Sequence, residues 1–435
     1  MKNKTFSLIS LGCAKNLVNS EQMIYLMSEA GYEIVSSPED SDLVIINTCG
    51  FIDSAKQEAI DTILETAAVN DSIIVTGCLA ERYQNEIMTE FPEIRGFLGV
   101  GSFGQITEAA DAVMRGERFS SFQDNSAPID ETPRVVSTGP SWAYLQIAEG
   151  CNNFCAFCAI PFIRGRYRSR SIENILEEAR ALAEHGVREL ILIAQDTTRY
   201  GTDLYGKRCL AELCRRISEI DGIDWIRLHY LYPDQFDDEL IEEIASNDKI
   251  LKYLDIPIQH INNSILKSMN RRGTGDEIRA LFQKLRERIP GLVLRTTLIA
   301  GLPGEGEAEF EELCNFLREA KVERAGVFPF SPEEGTKAAS MEHCSYEEAS
   351  RRADFIMTEI QAPIMDAFCS SFIGRKLQVL CVGEEDGWLV GRSFADSPDI
   401  DGLVCFDGDC VDGDFCTVLI ESAEDGILYG REVDA

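Results

Sequence analysis

The segment Cys151-Asn-Asn-Phe-Cys155-Ala-Phe-Cys158 limits what this chain can be more than any other stretch. Three thiols so close together can meet one metal centre only on a tight loop with its side chains turned inward. Zinc is the main rival reading, but a structural zinc site asks for four ligands, usually as two pairs, and no second C-x2-C follows. Three thiolates at C-x3-C-x2-C can instead hold three irons of a cubane cluster, leaving the fourth iron open to a substrate. Spacing alone therefore establishes a three-ligand metal site.

The loop follows AYLQIA (143–148), the first of six apolar runs. The others are ELILIAQ (189–195), WIRLHYL (225–231), YLDIPIQ (253–259), LVLRTTLIA (292–300) and AGVFPF (325–330). Helical segments separate most of them. Six βα units predict a full or partial barrel, and such barrels build their sites at the carboxyl ends of the strands. The cysteine loop occupies that address.

An earlier region alternates in the same way. FSLISL (6–11), DLVIINT (42–48) and SIIVTG (72–77) are short Val/Ile/Leu runs. Helices are predicted over about 20–29, up to about 69, and from about 81. This pattern predicts an open parallel sheet covered on both faces. Cys13, Cys49 and Cys78 each lie just beyond a strand's carboxyl end, on the edge where open α/β sheets bind ligands. Three soft ligands at equivalent positions predict a second cluster. The run QDNSAPIDETPRVVSTGPS (123–141) carries three prolines and reads as a linker. From about Phe372, short strands between Gly/Asp turns predict a small β-barrel. The expected domains are 1–122, a linker over 123–140, 141–371 and 372–435, in an α/β chain with an all-β end.

Composition narrows the partners. With 41 basic and 74 acidic residues the net charge is −33, which repels a phosphate backbone unless a local basic patch exists. Residues 372–435 hold 4 basic and 15 acidic residues, a net of −11. An RNA-binding barrel needs the opposite sign, whereas an acidic face suits a basic protein. No stretch reaches the ~20 apolar residues of a membrane span. The N-terminus lacks a cleavage pattern, so a cytoplasmic protein with no membrane partner is expected. In that compartment 15 cysteines point to metal or redox roles over disulfides.

The C-x3-C-x2-C loop resembles that of radical S-adenosylmethionine (SAM) enzymes. SLGCAKNLVNSE (10–21), INTCGFI (46–52) and TGCLAERY (76–83) resemble the N-terminal domain of the methylthiotransferases, and the last 64 residues resemble a TRAM domain. The likeness covers essentially the whole chain. LGCAKNLVNSE and the strand end IPIQH (256–260) resemble the branch that modifies an aspartate of ribosomal protein S-twelve, not the branch that modifies adenosine in transfer RNA. The resemblance implies two 4Fe–4S clusters, one on Cys151, Cys155 and Cys158 that chelates SAM, the other on Cys13, Cys49 and Cys78. SAM is then both radical source and methyl donor. An electron donor of flavodoxin or ferredoxin type and a sulfur donor are implied partners. The alternatives are the transfer RNA branch, a non-enzymatic iron–sulfur sensor and a zinc-bearing interaction protein.

Other signals are weaker. RGRYRSR (164–170) places Arg164, Arg166, Arg168 and Arg170 just after the loop, as a solvated stretch or as a cationic wall pairing with carboxylates. Gln195, Asp196, Gln259, His260, Arg295 and Thr297 stand at or near strand ends and are candidate SAM or substrate contacts. GLPGE (301–305) is expected to shape an adenosine pocket. Gly99, Gly101 and Gly104 match GxGxxG only weakly and read as a strand–turn–helix. His229 reads as a satisfied core histidine. The other nine cysteines show no ligand spacing.

Overall fold

A computed structural model describes residues 4–129 and 131–434. Residues 1–3 of the expected N-terminal domain, residue 130 of the expected linker and residue 435 lie outside the described residues. The chain divides into two compact units. One comprises the residues up to Ser137 with Gln146–Asn174 and Ser331–Ala339; the other comprises Thr138–Leu145, Ile175–Phe330 and the residues from Ser340 onward.

The first unit is built on strands β1 (Thr5–Ser10), β2 (Glu33–Ile34), β3 (Leu43–Thr48), β4 (Ile73–Gly77), β5 (Gly96–Leu98) and β6 (Phe119–Ser121), ordered β2-β1-β3-β4-β5-β6. Every pair is parallel. Alternation along β3 shows why its apolar run is continuous. Leu43 and Ile45 pack on one face with Met23, Met27, Ile106 and Val113. Val44 and Ile46 pack on the other with Ile63, Leu79, Ile87 and Phe97. Full burial of each such side chain stabilises by roughly 1.5–3 kcal/mol.

Helix α1 (Ala14–Glu29) and, later, α5 (Ile106–Met114) cover the first face; α2 (Asp53–Ala67), α3 (Cys78–Arg82) and α4 (Gln84–Glu90) cover the second. Helix α1 begins right after Cys13, six residues before the apolar periodicity does, because its first turns bury Asn16, Asn19, Ser20 and Glu21. A polar buried face carries no hydrophobic period. Part of the expected linker straps back onto this helix: Arg134 forms an ion pair with Glu21, and the backbone N–H and hydroxyl of Ser137 donate to the same carboxylate at 2.7 and 2.8 Å. After β7 (Trp142–Gln146) comes the cysteine loop, closed by β8 (Ala148–Glu149) against β9 (Arg168–Ser169) with the short helix α6 (Ile160–Ile163) between them.

In the second unit β10 (Glu189–Ile193), β11 (Trp225–Leu228), β12 (Ile250–Asp255), β13 (Val293–Ala300) and β14 (Arg324–Pro329) form one sheet with β7 at its edge, in the order β14-β13-β12-β11-β10-β7. The sheet is open, so of the two predicted forms the partial barrel is the one adopted. Strands β15 (Lys376–Glu385), β16 (Trp388–Arg392), β17 (Val404–Asp407), β18 (Phe415–Glu424) and β19 (Ile427–Glu432) close into a barrel. A buried charge set ties this barrel to the sheet. Glu189 meets Arg227 at 2.7 Å and Arg392 at 2.6 Å, and Arg227 donates to the carbonyls of Phe394 and Ser393. His229 is buried, with Nε2 3.0 Å from Ser397 Oγ, as a satisfied core histidine should be.

Candidate metal centre

Both sets of cysteines lie in the first unit. Cys49 and Cys78 immediately follow β3 and β4, and Cys13 caps α1 three residues beyond β1. Parallel register makes these strand ends neighbours: Ser10 pairs with Asn47, and Thr48 with Gly77. Two glycines allow the approach. A Cβ at Gly12, where φ is +93°, would lie 2.7 Å from Cys49 Cβ; at Gly77, where φ is +92°, it would lie 2.5 Å from Thr48 O. Asn16 fastens the edge, its Nδ2 donating to the carbonyls of Leu11 and Thr48 and its Oδ1 lying 3.6 Å from Cys78 Sγ.

The three thiols feel one another. Burial, helped by the neighbouring thiols of Cys78 and Cys13, pushes Cys49 up to about 11. Burial also raises Cys78, although the Arg164 guanidinium opposes it. Desolvation would raise Cys13 too, but Lys15, Arg164 and the backbone N–H groups of Asn16 and Lys15 outweigh it and hold this thiol below its ordinary value. Cys13 is thus the most acidic thiol of the set, and binding a metal releases the protons that the thiols still carry.

The second set sits on a shorter frame. Cys151 N–H donates to Gly165 O at 3.1 Å, Cys158 N–H to Cys155 O at 3.0 Å, and Asn153 N–H reaches Cys151 Sγ at 3.5 Å. Phe154, between the first two cysteines, adopts φ +49°, a left-handed turn unusual for an aromatic residue. Among the described residues no three cysteine, histidine or carboxylate groups are placed to hold one metal ion together. A cubane differs in spreading its thiolates over separate irons.

The arginine run divides on folding. Arg164 is 2% exposed and forms an ion pair with Glu149 at 3.0 Å. It also donates to Asn19 Oδ1 at 3.1 Å and to Asn16 Oδ1, and its Nη2 lies 3.7 Å from Cys78 Sγ. Burial would favour loss of its proton, but Glu149, Cys78 and Cys13 keep it firmly charged. Arg170 pairs with Glu131 at 2.7 Å, Arg168 donates to the carbonyls of Arg166 and Arg164, and Arg166 is exposed. A buried cation 3.7 Å from Cys78 Sγ suits an anionic thiolate cluster, so the donor set fits the iron–sulfur group that the family resemblance implies.

In the second unit, Asp196 accepts from Thr198 Oγ1 at 2.5 Å and Arg199 Nε at 2.9 Å. Arg295 pairs with Asp255 at 2.7 Å. Gln195, Gln259 and Thr297 are half-buried, and Gln259 holds φ +71° while bridging to β13. His260 is fully buried: its Nδ1 accepts from Asn262 N–H at 3.0 Å and its Nε2 is 3.2 Å from Glu305. Glu305, which sequence reasoning placed only within a glycine-rich loop, also accepts from Arg352 at 2.8 Å and Gly301 N–H at 2.9 Å. His260 thus lies against this loop.

The "Radical SAM superfamily" model matches residues 145–317, "Uncharacterized protein family UPF0004" matches 5–99, and "TRAM domain" matches 373–433. The chain is 48% identical to "Ribosomal protein uS12 methylthiotransferase RimO" of Caldanaerobacter subterraneus subsp. tengcongensis, covering 98% of this chain and 100% of that protein. It is 46% identical to the protein of the same description from Lachnoclostridium phytofermentans, over 97% and 98% of the two chains. Among solved structures, the radical SAM methyltransferase TsrM from Kitasatospora setae, bound to cobalamin and a [4Fe-4S] cluster, superposes with a TM-score of 0.57 at 15% identity, covering 77% of each chain. That likeness is one of fold.

Proposed function

The chain belongs to the RimO methylthiotransferase family of radical SAM enzymes, and from that premise we propose that it attaches a methylthio group to the β-carbon of an aspartate in ribosomal protein uS12. One observation carries the reading: two sets of three cysteines stand in one unit with the buried cation Arg164 against Cys78. Cys151, Cys155 and Cys158 would hold the SAM-chelating 4Fe–4S cluster; Cys13, Cys49 and Cys78 would hold the second. When bound, the clusters and SAM supply reductive cleavage to a hydrogen-abstracting radical together with the sulfur and methyl that are transferred.

The protein's own work is placement and charge. Arg164 balances negative charge beside the second set without competing as a ligand, because its pairing with Glu149 keeps it protonated. Asn16 and the two glycines let the strand ends that carry Cys13, Cys49 and Cys78 approach one another. Gln195, Asp196 and Gln259, beyond the carboxyl ends of β10 and β12, and Arg295 and Thr297, within β13, are the groups to orient SAM and the substrate carboxylate. Arg166, exposed beside the loop, is the arginine best placed to meet an incoming carboxylate. The acidic C-terminal barrel favours a basic protein over transfer RNA. A flavodoxin- or ferredoxin-type reductant, a sulfur donor and a cytoplasmic setting complete the proposal.

The test is anaerobic reconstitution with iron and sulfide, then incubation with SAM, a reductant and purified uS12. Mass spectrometry should find a methylthio group in place of one hydrogen on an aspartate. Modification of transfer RNA and not of uS12 would reject the assignment.

A further inference from the structure

Helices α2 and α4, with Leu79 of α3 and Tyr83 between α3 and α4, enclose an open groove of about 430 Å³ in the first unit. Its floor is apolar: Ile60, Leu79, Tyr83, Ile87 and Phe91. Its rim carries four carboxylates, Asp53, Glu86, Glu90 and Glu334, all exposed. The single cation, Lys56, is already engaged by Asp53 and by Glu333 at 3.3 Å. Neither the clusters nor SAM explains this surface.

The groove is also joined to the second set of cysteines. Leu79, in its floor, directly follows Cys78. Arg82, from the same short helix, donates to the carbonyl of Gly50, which directly follows Cys49, at 2.9 Å, and meets Glu333 at 2.9 Å. A chain lying in the groove would therefore rest on the element that carries Cys78.

We propose that this groove docks a basic segment of the ribosomal-protein substrate, apolar side chains on its floor and Lys or Arg on its rim. The inference rests on the reading of uS12 as substrate. Charge complementarity selects the occupant. Four carboxylates repel RNA phosphate, and a second copy of a chain of net charge −33 would be repelled too. A protein that lives on RNA must itself be rich in Lys and Arg. An apolar floor inside a charged rim is the anatomy of a specific protein contact.

The experiment uses the reconstituted holoenzyme and purified uS12. One variant reverses the rim, Glu86→Lys with Glu90→Lys; a second, Gln57→Trp, fills the groove from an exposed position in its lining. Each should weaken uS12 binding by about tenfold or more and raise KM, the order expected when charge contacts at an interface are lost or reversed. Iron content and SAM cleavage without substrate should stay at the wild-type level. If a variant loses iron, Glu86→Gln with Glu90→Gln replaces it. Unchanged uS12 affinity in variants that retain iron would overturn the docking proposal while leaving the assigned activity intact. If the wild-type enzyme neither binds nor modifies uS12, the functional reading itself falls.

Discussion

Arg164 Nη2 lies 3.7 Å from Cys78 Sγ, and the two side chains come from segments 86 residues apart. The cation leaves the end of α6 and reaches the strand edge that carries the other three thiols. Its counter-ion, Glu149, lies at the start of the second cysteine loop, in β8. One buried ion pair thus spans the frames of both candidate clusters.

Arg164→Gln should uncouple these frames. It leaves Glu149 buried without its cation, a change that costs about 3–5 kcal/mol for buried pairs. Cys78 and Cys13 lose the charge that favours their thiolates. We expect lower thermal stability and less iron on the Cys13, Cys49 and Cys78 set, with Arg164→Lys intermediate because it keeps the charge but not the fork. Iron and sulfide analysis beside a melting curve checks this. Wild-type values for the glutamine variant would show that Arg164 only fills space.

The two sets should separate by mutation. Alanine at Cys151, Cys155 and Cys158 should remove about half the bound iron, since each cubane carries four, and abolish reductive SAM cleavage. Alanine at Cys13, Cys49 and Cys78 should remove the other half while cleavage survives and methylthio transfer stops. Full iron content in the second triple variant would refute the convergence of the three strand ends.

The shared address of Cys13, Cys49 and Cys78 was legible in the sequence, because each stands just after a short apolar run that folds as a parallel strand. The partners of Arg164 were not. Glu149 and Asn16 lie far from each other along the chain, and only folding joins them. Strands β5 and β6 also escaped, since Gly-Phe-Leu and Phe-Ser-Ser are too short to show a period. Helix α1 was read six residues short because its buried face is polar. Cys381 and Cys410 show no spacing pattern either; in the closed barrel Cys410 Sγ lies 3.6 Å from the carbonyl oxygen of Asp414 and Cys381 Sγ 3.8 Å from that of Gly383.

Glu189 should make the second unit acid-sensitive. Burial alone would raise its carboxyl, but Arg392 and Arg227 overcome that and hold it below the usual carboxylate range. A folded-state value below the unfolded one gives stability that is fully present above the unfolded value, near 4.3, and is lost as pH falls through the folded value. Glu189→Gln should lower Tm at pH 7, where two buried arginines lose their anion. The gap between wild type and variant should narrow as pH drops below ~4. A gap that is constant across this range would show that the ion set contributes packing alone.

The acidity of the terminal barrel predicts kinetics. Asp407, Asp409 and Asp412 are exposed, whereas Asp414 faces Arg188 at 3.6 Å and is better left in place. Reversing the first three to lysine shifts the charge of residues 372–435, −11 in all, by +6. Rim charges act mainly on encounter, so association with uS12 should slow markedly while dissociation changes less. The difference should shrink as salt rises, because exposed charges are screened beyond ~8 Å at physiological ionic strength. SAM cleavage without substrate should be unaffected, since none of the three residues belongs to either cysteine set or to the strand ends of the sheet. Stopped-flow association at two salt concentrations, with transfer RNA as a parallel ligand, measures this directly. An association rate equal to that of the wild type at low salt would mean that the barrel's charge serves solubility and that partner choice is made elsewhere on the molecule.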